Sequence, residues 1–485
     1  MRRLNGRLVR LAPLLPLAAG ILVAIQNADQ GNARAETYLS AISLLHTGVI
    51  GNPYLLPSGP SALIAPLLTA FIAAVYKILG ENTTEARMAL GLLSACAYAV
   101  GAWLTIRICE LNRVRPLGMA IAVSLTCVVP VYLYETVVYY RLWDQPWSAV
   151  IVLYALYVLL DAIRHDRPAW RPEIKLALLA GIGGLLSPAV LPPVVMGLLI
   201  MIRSRRAKQT QWRALALTAS IVAVLLVPWG IRNEIQLGKF ILTRSGFGLE
   251  LATGNQDGAN GFSTLGAPIH PFIDREAAER LAAVGEVRYM DEMTKLGMGW
   301  IAAHPMEAAS LVARRVWYSF VPPVAAIAWM PVLAINGRWL VFAAFGLLKL
   351  AALARILVVG PMRLVWLSFC LLPLAPYFIS HMDLRFEFIV FFPTVCMIAT
   401  AIAGERVRKK GSEPAAPRLH ADGLLGKNFP AVGRLAPVQR RVAAGWSALQ
   451  DGVVGDRMAR PALAAEAAGH GDGALRAGLA VGPRL

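Results

Sequence analysis

LVRLAPLLPLAAGILVAIQNADQGNARAETYLSAISLLHTGVIGNPYLLPSGP, residues 8–60, sets the fold class. Its first half, from about Leu8 to Ile25, is one apolar run behind the basic start MRRLNGR. It is long enough to cross a hydrocarbon core of about 30 Å at about 1.5 Å per residue. The charge order is that of a signal peptide, but the length of the run argues for an uncleaved first helix running from cytoplasm to exterior. The second half is polar. Asp29 and Glu36 follow the run, Glu36-Thr37-Tyr38 opens a short amphipathic helix, and Gly, Asn and Pro break the chain after it. A carboxylate at the membrane surface just after a first span suits an enzyme whose substrate is a lipid.

The same alternation continues through 485 residues, 57% hydrophobic and 16% charged. Apolar runs of about 17–22 residues recur near 8–26, 88–106, 117–134, 147–162, 174–202, 214–229, 338–357, 364–380 and 386–403. An open sheet would leave backbone groups unpaired in lipid, so the expected fold is an all-α polytopic membrane protein. The run 174–202, interrupted by Gly181, Gly183, Gly184, Ser187, Pro188, Pro192 and Pro193, predicts two helices turning at Ser187-Pro188. Loop charge places the apolar segment Ser61–Leu79 against the membrane as a re-entrant or interfacial piece. It makes Pro305–Asn336 an exterior, membrane-hugging stretch.

The net charge of +18 does not signal nucleic acid. Basic residues cluster in loops such as Arg203, Arg205, Arg206, Lys208 and Arg213, as the positive-inside rule expects, and no groove-reading motif accompanies them. The five cysteines lie in or beside apolar runs without CxxC spacing, which excludes a disulfide framework and a thiolate metal cluster. No Walker A, HExxH or GxSxG sequence occurs. The predicted organisation is a membrane domain over 1–403, with exterior regions at 27–60, 135–145, 231–307 and 381–387. A cytoplasmic, disordered tail follows over 404–485.

Four stretches carry chemistry. In the first loop Glu36 serves either as a general base or as a first-turn charge favoured by the helix dipole. Asp29 is its rival, and Tyr38 either stacks on a sugar or anchors at the interface. In VVYYRLWDQPW (137–147) Asp144 stands at membrane depth, where an ionisable group faces a cavity or a partner, and Arg141 is near enough in sequence to be that partner. In VPWGIRNEIQLGKFILTRSGFGLELATGN (227–255) Arg232 marks the membrane exit, and Lys239 and Arg244 are candidate phosphate contacts. Asn255 lies within a glycine-rich run, Gly246, Gly248, Gly254, Gly258 and Gly261, whose backbone can approach a ligand closely. In SHMDLRFEF (380–388) His381, Asp383 and Arg385 lie between two apolar runs, with Arg385 suited to a phosphate through its bidentate fork.

Taken in order, Glu36-Thr37-Tyr38-Leu39, the segment GNPYLLPSGPSALIAPLL, the PW-x-x-RN segment and HMDLRFEF resemble the GT-C type of integral-membrane glycosyltransferases. That group includes protein O-mannosyltransferases and lipid A aminoarabinose transferases. The resemblance covers about residues 1–404. It implies a GT-C-like bundle of about 10–12 transmembrane helices in the cell inner membrane. It also implies transfer of a sugar from a polyprenyl-phosphate donor to a lipid, glycan or protein acceptor at the exterior face. Glu36 takes the acidic position, Asp144 a second acidic position, and Arg385 the phosphate position. Some relatives bind a divalent cation, which no spacing here demands. Where many members carry an aspartate before the tyrosine, this chain has Arg34-Ala35-Glu36, so Asp29 stays an alternative base. A transporter or flippase of lipid-linked sugars, or a surface-glycan polymerase or ligase, is the competing function. The transporter predicts ionisable residues in mid-span.

Overall fold

The computed structural model describes residues 8–30, 35–128, 132–165, 170–204, 208–262, 269–324, 335–359 and 362–403. The chain divides into two compact units, Met1–Leu419 and His420–Leu485, and all described residues belong to the first. The expected disordered tail lies outside the described residues.

The protein is an all-α polytopic membrane protein. Among the described residues six helices are long and apolar enough to cross a bilayer: Leu8–Gln26, Thr84–Leu111, Gln145–His165, Gln209–Leu237, Trp339–Val358 and Leu384–Ala403. Four shorter apolar helical stretches, Pro66–Leu79, Pro116–Val128, Pro188–Arg203 and Arg363–Ile379, accompany them. In chain order the helices are α1 (Leu14–Gln26), α2 (Glu36–Thr47), α3 (Pro66–Leu79), α4 (Thr84–Leu111), α5 (Pro116–Val123), α6 (Leu133–Val138) and α7 (Gln145–His165). Then follow α8 (Trp170–Leu186), α9 (Leu191–Arg203), α10 (Lys208–Leu237), α11 (Phe247–Gly254), α12 (Arg275–Val284), α13 (Glu286–Ala303) and α14 (Pro305–Tyr318). The last four are α15 (Ile335–Val359), α16 (Arg363–Cys370), α17 (Ala375–Ile379) and α18 (Leu384–Ala403).

The last helix is the centre. In α18, 89% of the apolar window is buried, against 22% for the first span, so α18 is the axis and α1 faces outward. Phe388, Phe391 and Phe392 of α18 pack on Tyr98 of α4, and Phe388 and Phe391 also on Tyr132. Small residues let the backbones close: a Cβ on Gly20 of α1 would lie 2.6 Å from the Ala95 Cβ of α4. The predicted turn within 174–202 is present, with α8 ending at Leu186, Ser187 extended, and a short 3₁₀ turn at Pro188–Val190 leading into α9. The run 117–134 is not one straight helix. After α5 the backbone makes a π turn at Ser124–Val128, and α6 starts afresh at Leu133.

The polar region 231–307 holds helices. Asp274 caps α12 by accepting the Ala277 N–H at 2.8 Å, and Ala277, Ala278 and Leu281 form its buried stripe. The glycine-rich run beginning at Gly246 is the helix α11, and its glycines admit protein neighbours. A Cβ on Gly248 would meet the Met290 carbonyl at 2.2 Å, and one on Gly254 the Ser380 carbonyl at 1.7 Å. α11 is thereby clamped between α13 and the turn that precedes α18.

Candidate functional site

Glu36 is the acidic residue in the first turn of α2. Thr37 fixes the helix start by donating its hydroxyl to the Leu142 carbonyl at 2.5 Å, which brings the first loop to the 137–147 stretch. Glu36 Oε1 lies 3.6 Å from His270 Nε2, with the two side chains 15% and 16% exposed. The Phe272 N–H donates to His270 Nδ1 at 3.2 Å, so the neutral ring carries its proton on Nε2, toward Glu36.

Glu250, in the first turn of α11, reaches His381 Nδ1 at 3.4 Å. Burial alone would raise the Glu250 carboxyl, but the neighbouring His381, Arg385, His270 and Arg244 hold it below the ordinary carboxylate value. Burial lowers His381, helped by Arg385 and opposed by Glu250. Both shifts act alike on stability. At each group the unfolded chain takes up a proton at a pH where the folded chain does not, so stability present at neutral pH is lost on acidification. The loss begins near 6.5 for His381 and near 4.5 for Glu250. His381→Asn is expected to remove the upper step from a profile of melting temperature against pH.

Arg385 stands in the first turn of α18. Asp383 holds it twice: Oδ1 accepts the Arg385 backbone N–H at 3.0 Å, and Oδ2 lies 3.7 Å from its guanidinium. The guanidinium lies 4.4 Å from the Trp143 ring and 4.9 Å from the Phe386 ring. The carboxylates whose fields act on it are Asp383, Glu250 and Glu36. Tyr377 stacks on Phe386 with ring centroids 3.6 Å apart and feels Asp144, Arg244 and Glu250. Tyr54 is buried, its hydroxyl makes no hydrogen bond among the described residues, and Glu286, Glu36 and Glu250 act on it. Burial pushes its phenol well above the ordinary range.

The remaining sequence candidates divide. Arg244 joins the cluster, donating to the Leu63 carbonyl at 2.6 Å and acting on Glu250. Asp144 is buried at its edge, accepting from Ser148 at 3.2 Å and from Gln145 at 3.3 Å. Asp29 is exposed at the end of α1. Arg141 does not need Asp144, because it clamps the carbonyls of Asn27 and Gln30 just after α1 and of Arg87 in α4, and burial lowers it to about 10. Arg232 donates to the carbonyls of Ser61 (2.9 Å) and Ile50 (2.7 Å) and lies over Trp229, tying α10 to the first loop. Lys239 pairs with Asp291 at the surface at 2.7 Å. Tyr38 turns away from Glu36: its hydroxyl donates to Glu81 at 3.2 Å and its ring packs edge-on against Tyr76.

Asn255 is a hinge-pin for the turn before α18. Its amide donates to Leu251 and Ile379 carbonyls, and its Oδ1 accepts from Arg315 at 3.2 Å. Arg315 is fully buried and also donates to the carbonyls of Gly254 and Ile379. Burial lowers it to about 10. His270, Glu250, Tyr54, Trp143 and Arg315 belong to the surroundings of the site without any local sequence pattern that marks them. Among the described residues no three His, Cys, Asp or Glu side chains converge as a ligand set for a divalent cation.

No family model matches the chain, and no curated protein matches it. Solved structures do. The chain is similar to the oligosaccharyltransferase AglB of Archaeoglobus fulgidus in complex with an inhibitory peptide and a dolichol-phosphate. The two share 13% identity at a TM-score of 0.43, over 80% of this chain and 50% of that one. It is similar also to ArnT of Cupriavidus metallidurans, at 15% identity and a TM-score of 0.35 for the apo state, over 81% of this chain and 77% of that one. For ArnT bound to undecaprenyl phosphate the values are 13% and 0.34 over the same shares. The chain spans half the length of the archaeal chain it matches.

Proposed function

We propose that this protein transfers a sugar from a polyprenyl-phosphate-linked donor to a lipid, glycan or protein acceptor at the exterior face of the cytoplasmic membrane. The reading rests on one observation above all: Glu36 from the first loop lies 3.6 Å from His270 in the same group of charged side chains as Arg385 of the last span, whose guanidinium feels the Glu36 carboxylate. A base and a phosphate ligand are the two parts such a transfer requires.

In the proposed reaction the acceptor hydroxyl attacks the anomeric carbon while the carbon–oxygen bond to phosphate breaks. The hydroxyl proton goes to Glu36, and the bonding electrons leave on the phosphate oxygen. Charge grows on the departing phosphate, where the Arg385 guanidinium meets it. Trp143 and Asp383 hold that guanidinium in one orientation before the donor arrives, which lowers the entropic cost of the reactive geometry.

The experiment is transfer of radiolabelled sugar from a polyprenyl-phosphate donor by the purified protein in liposomes. Wild type transfers, and Arg385→Gln raises the donor KM steeply. Lipid-linked sugar crossing the vesicles with no donor consumed would overturn the reading in favour of transport. Trp143→Leu gives a milder loss. The guanidinium keeps Asp383 and the Phe386 ring but loses the nearer Trp143 ring, so donor KM rises by about two- to fivefold, the equivalent of about 0.5–1 kcal/mol, with kcat nearly unchanged. Steady-state kinetics on donor concentration checks this.

A further inference from the structure

α14 has three faces, and two of them have evident partners. At about 100° per residue, Ala308, Leu311 and Arg315 fall on one side and are buried against the protein. Glu307, Ser310 and Arg314 form an exposed polar edge. Met306, Ala309, Val312, Ala313, Val316 and Trp317 fall together on a third side and are all exposed. Met306 is 81% and Trp317 52% exposed, as open as Leu340 and Leu347 on the outer face of span α15, each 62%.

The depth of the helix end says what covers that third face. Lys349 of α15 donates to the Ser319 carbonyl at 2.7 Å, and its ammonium lies 4.9 Å from the Phe320 ring. A Cβ on Gly346 would sit 1.9 Å from the Phe320 carbonyl, so the chain just beyond α14 rests directly on α15 there. The apolar span runs Trp339–Val358. Gly346 therefore lies about 10 Å inside one end and Lys349 about 15 Å, in a hydrocarbon core about 30 Å thick. The last turn of α14, with Val316 and Trp317 pointing outward, is at acyl-chain depth.

The geometry points to α14 as a membrane-embedded wedge whose apolar stripe is covered by lipid acyl chains. The helix enters from the polar region with Glu307, Ser310 and Arg314 along its wet edge and descends toward Gly346. Its inner face carries Arg315, which holds the Gly254, Asn255 and Ile379 groups before α18. The bilayer thus bears on one side of a helix whose other side fixes the turn leading to His381 and Arg385. This inference is independent of the sugar-transfer reading.

The test places a nitroxide at each position from Met306 to Trp317 in the full chain, with exposed Cys96 replaced by Ser and the four buried cysteines kept. The variants are reconstituted in liposomes. Collision with oxygen is expected to peak at Met306, Ala309, Ala313 and Val316, severalfold above the wet edge. Collision with a water-soluble nickel complex should peak at Glu307, Ser310 and Arg314. Nickel access around the exposed circumference overturns the wedge. So does protection of the apolar stripe from both reagents, which would mean a protein partner such as a second copy. A second measurement needs no label. Brominated acyl chains should quench more emission from wild type than from Trp317→Phe, and equal quenching counts against the proposal.

Discussion

Replacing Glu36 with Gln is expected to lower kcat for sugar transfer by about 10²–10⁴-fold, the usual contribution of a positioned general base. Donor KM should stay nearly constant. The amide keeps the size and the polar contact toward His270 but cannot accept the acceptor's proton, so the loss falls on the chemical step. Asp29→Asn is expected to leave the rate within about twofold, as for a surface change away from the site. Both residues follow the first span closely, but Glu36 is largely buried and faces His270 at 3.6 Å, in the group of side chains around Arg385. Asp29 is exposed beside Ala28, whose carbonyl accepts from Arg87 at 2.8 Å. Glu250 is the competing carboxylate in the cluster. If Glu36→Gln transfers at the wild-type rate while Glu250→Gln does not, the base has been assigned to the wrong helix. If neither matters, the site is elsewhere.

The helices and their breaks were legible because they follow from local chemistry. Proline after Ser187 cannot continue a ladder, and the chain turns there. Glu36 opens a helix because an acidic first turn suits the dipole. The polar cluster was legible only in part. Arg385 and Glu36 stand next to apolar runs, where a charged residue is conspicuous. His270 and Glu250 stand in stretches with no distinguishing pattern, and only the packing of α11 and α12 against the first loop brings them in. Nothing local marks Trp143, because a tryptophan near lipid has an ordinary explanation as an interfacial ring and its contact with Arg385 depends on a residue far along the chain. The glycines of α11 signalled close approach correctly but not what approaches. Gly254 faces the Ser380 carbonyl and Gly248 faces α13, so the space they leave is filled by protein.

Lys349→Met is expected to destabilise the folded protein by about 3–5 kcal/mol, visible as a large fall in melting temperature in detergent. Lys349 and Glu387 form a buried pair at 3.1 Å, with side-chain exposures of 2% and 9%. Removing the lysine leaves a carboxylate in an apolar interior and the Ser319 carbonyl without its donor. Replacing both residues, Lys349→Met with Glu387→Leu, removes the two charges together and is expected to recover most of the loss, since a well-packed apolar pair often matches a buried ion pair. The pair also bears on the transport alternative, because Lys349 is an ionisable residue well inside a span. A residue lining a solute path should be open to the solute, whereas Lys349 is committed to Glu387, the Ser319 carbonyl and the Phe320 ring. That arrangement is a tie between α15, α18 and the end of α14. If the double replacement stays folded and retains sugar transfer, the tie is structural. If it folds normally but loses transfer, charge at this depth takes part in function, and the division between a membrane scaffold and a surface site has to be redrawn.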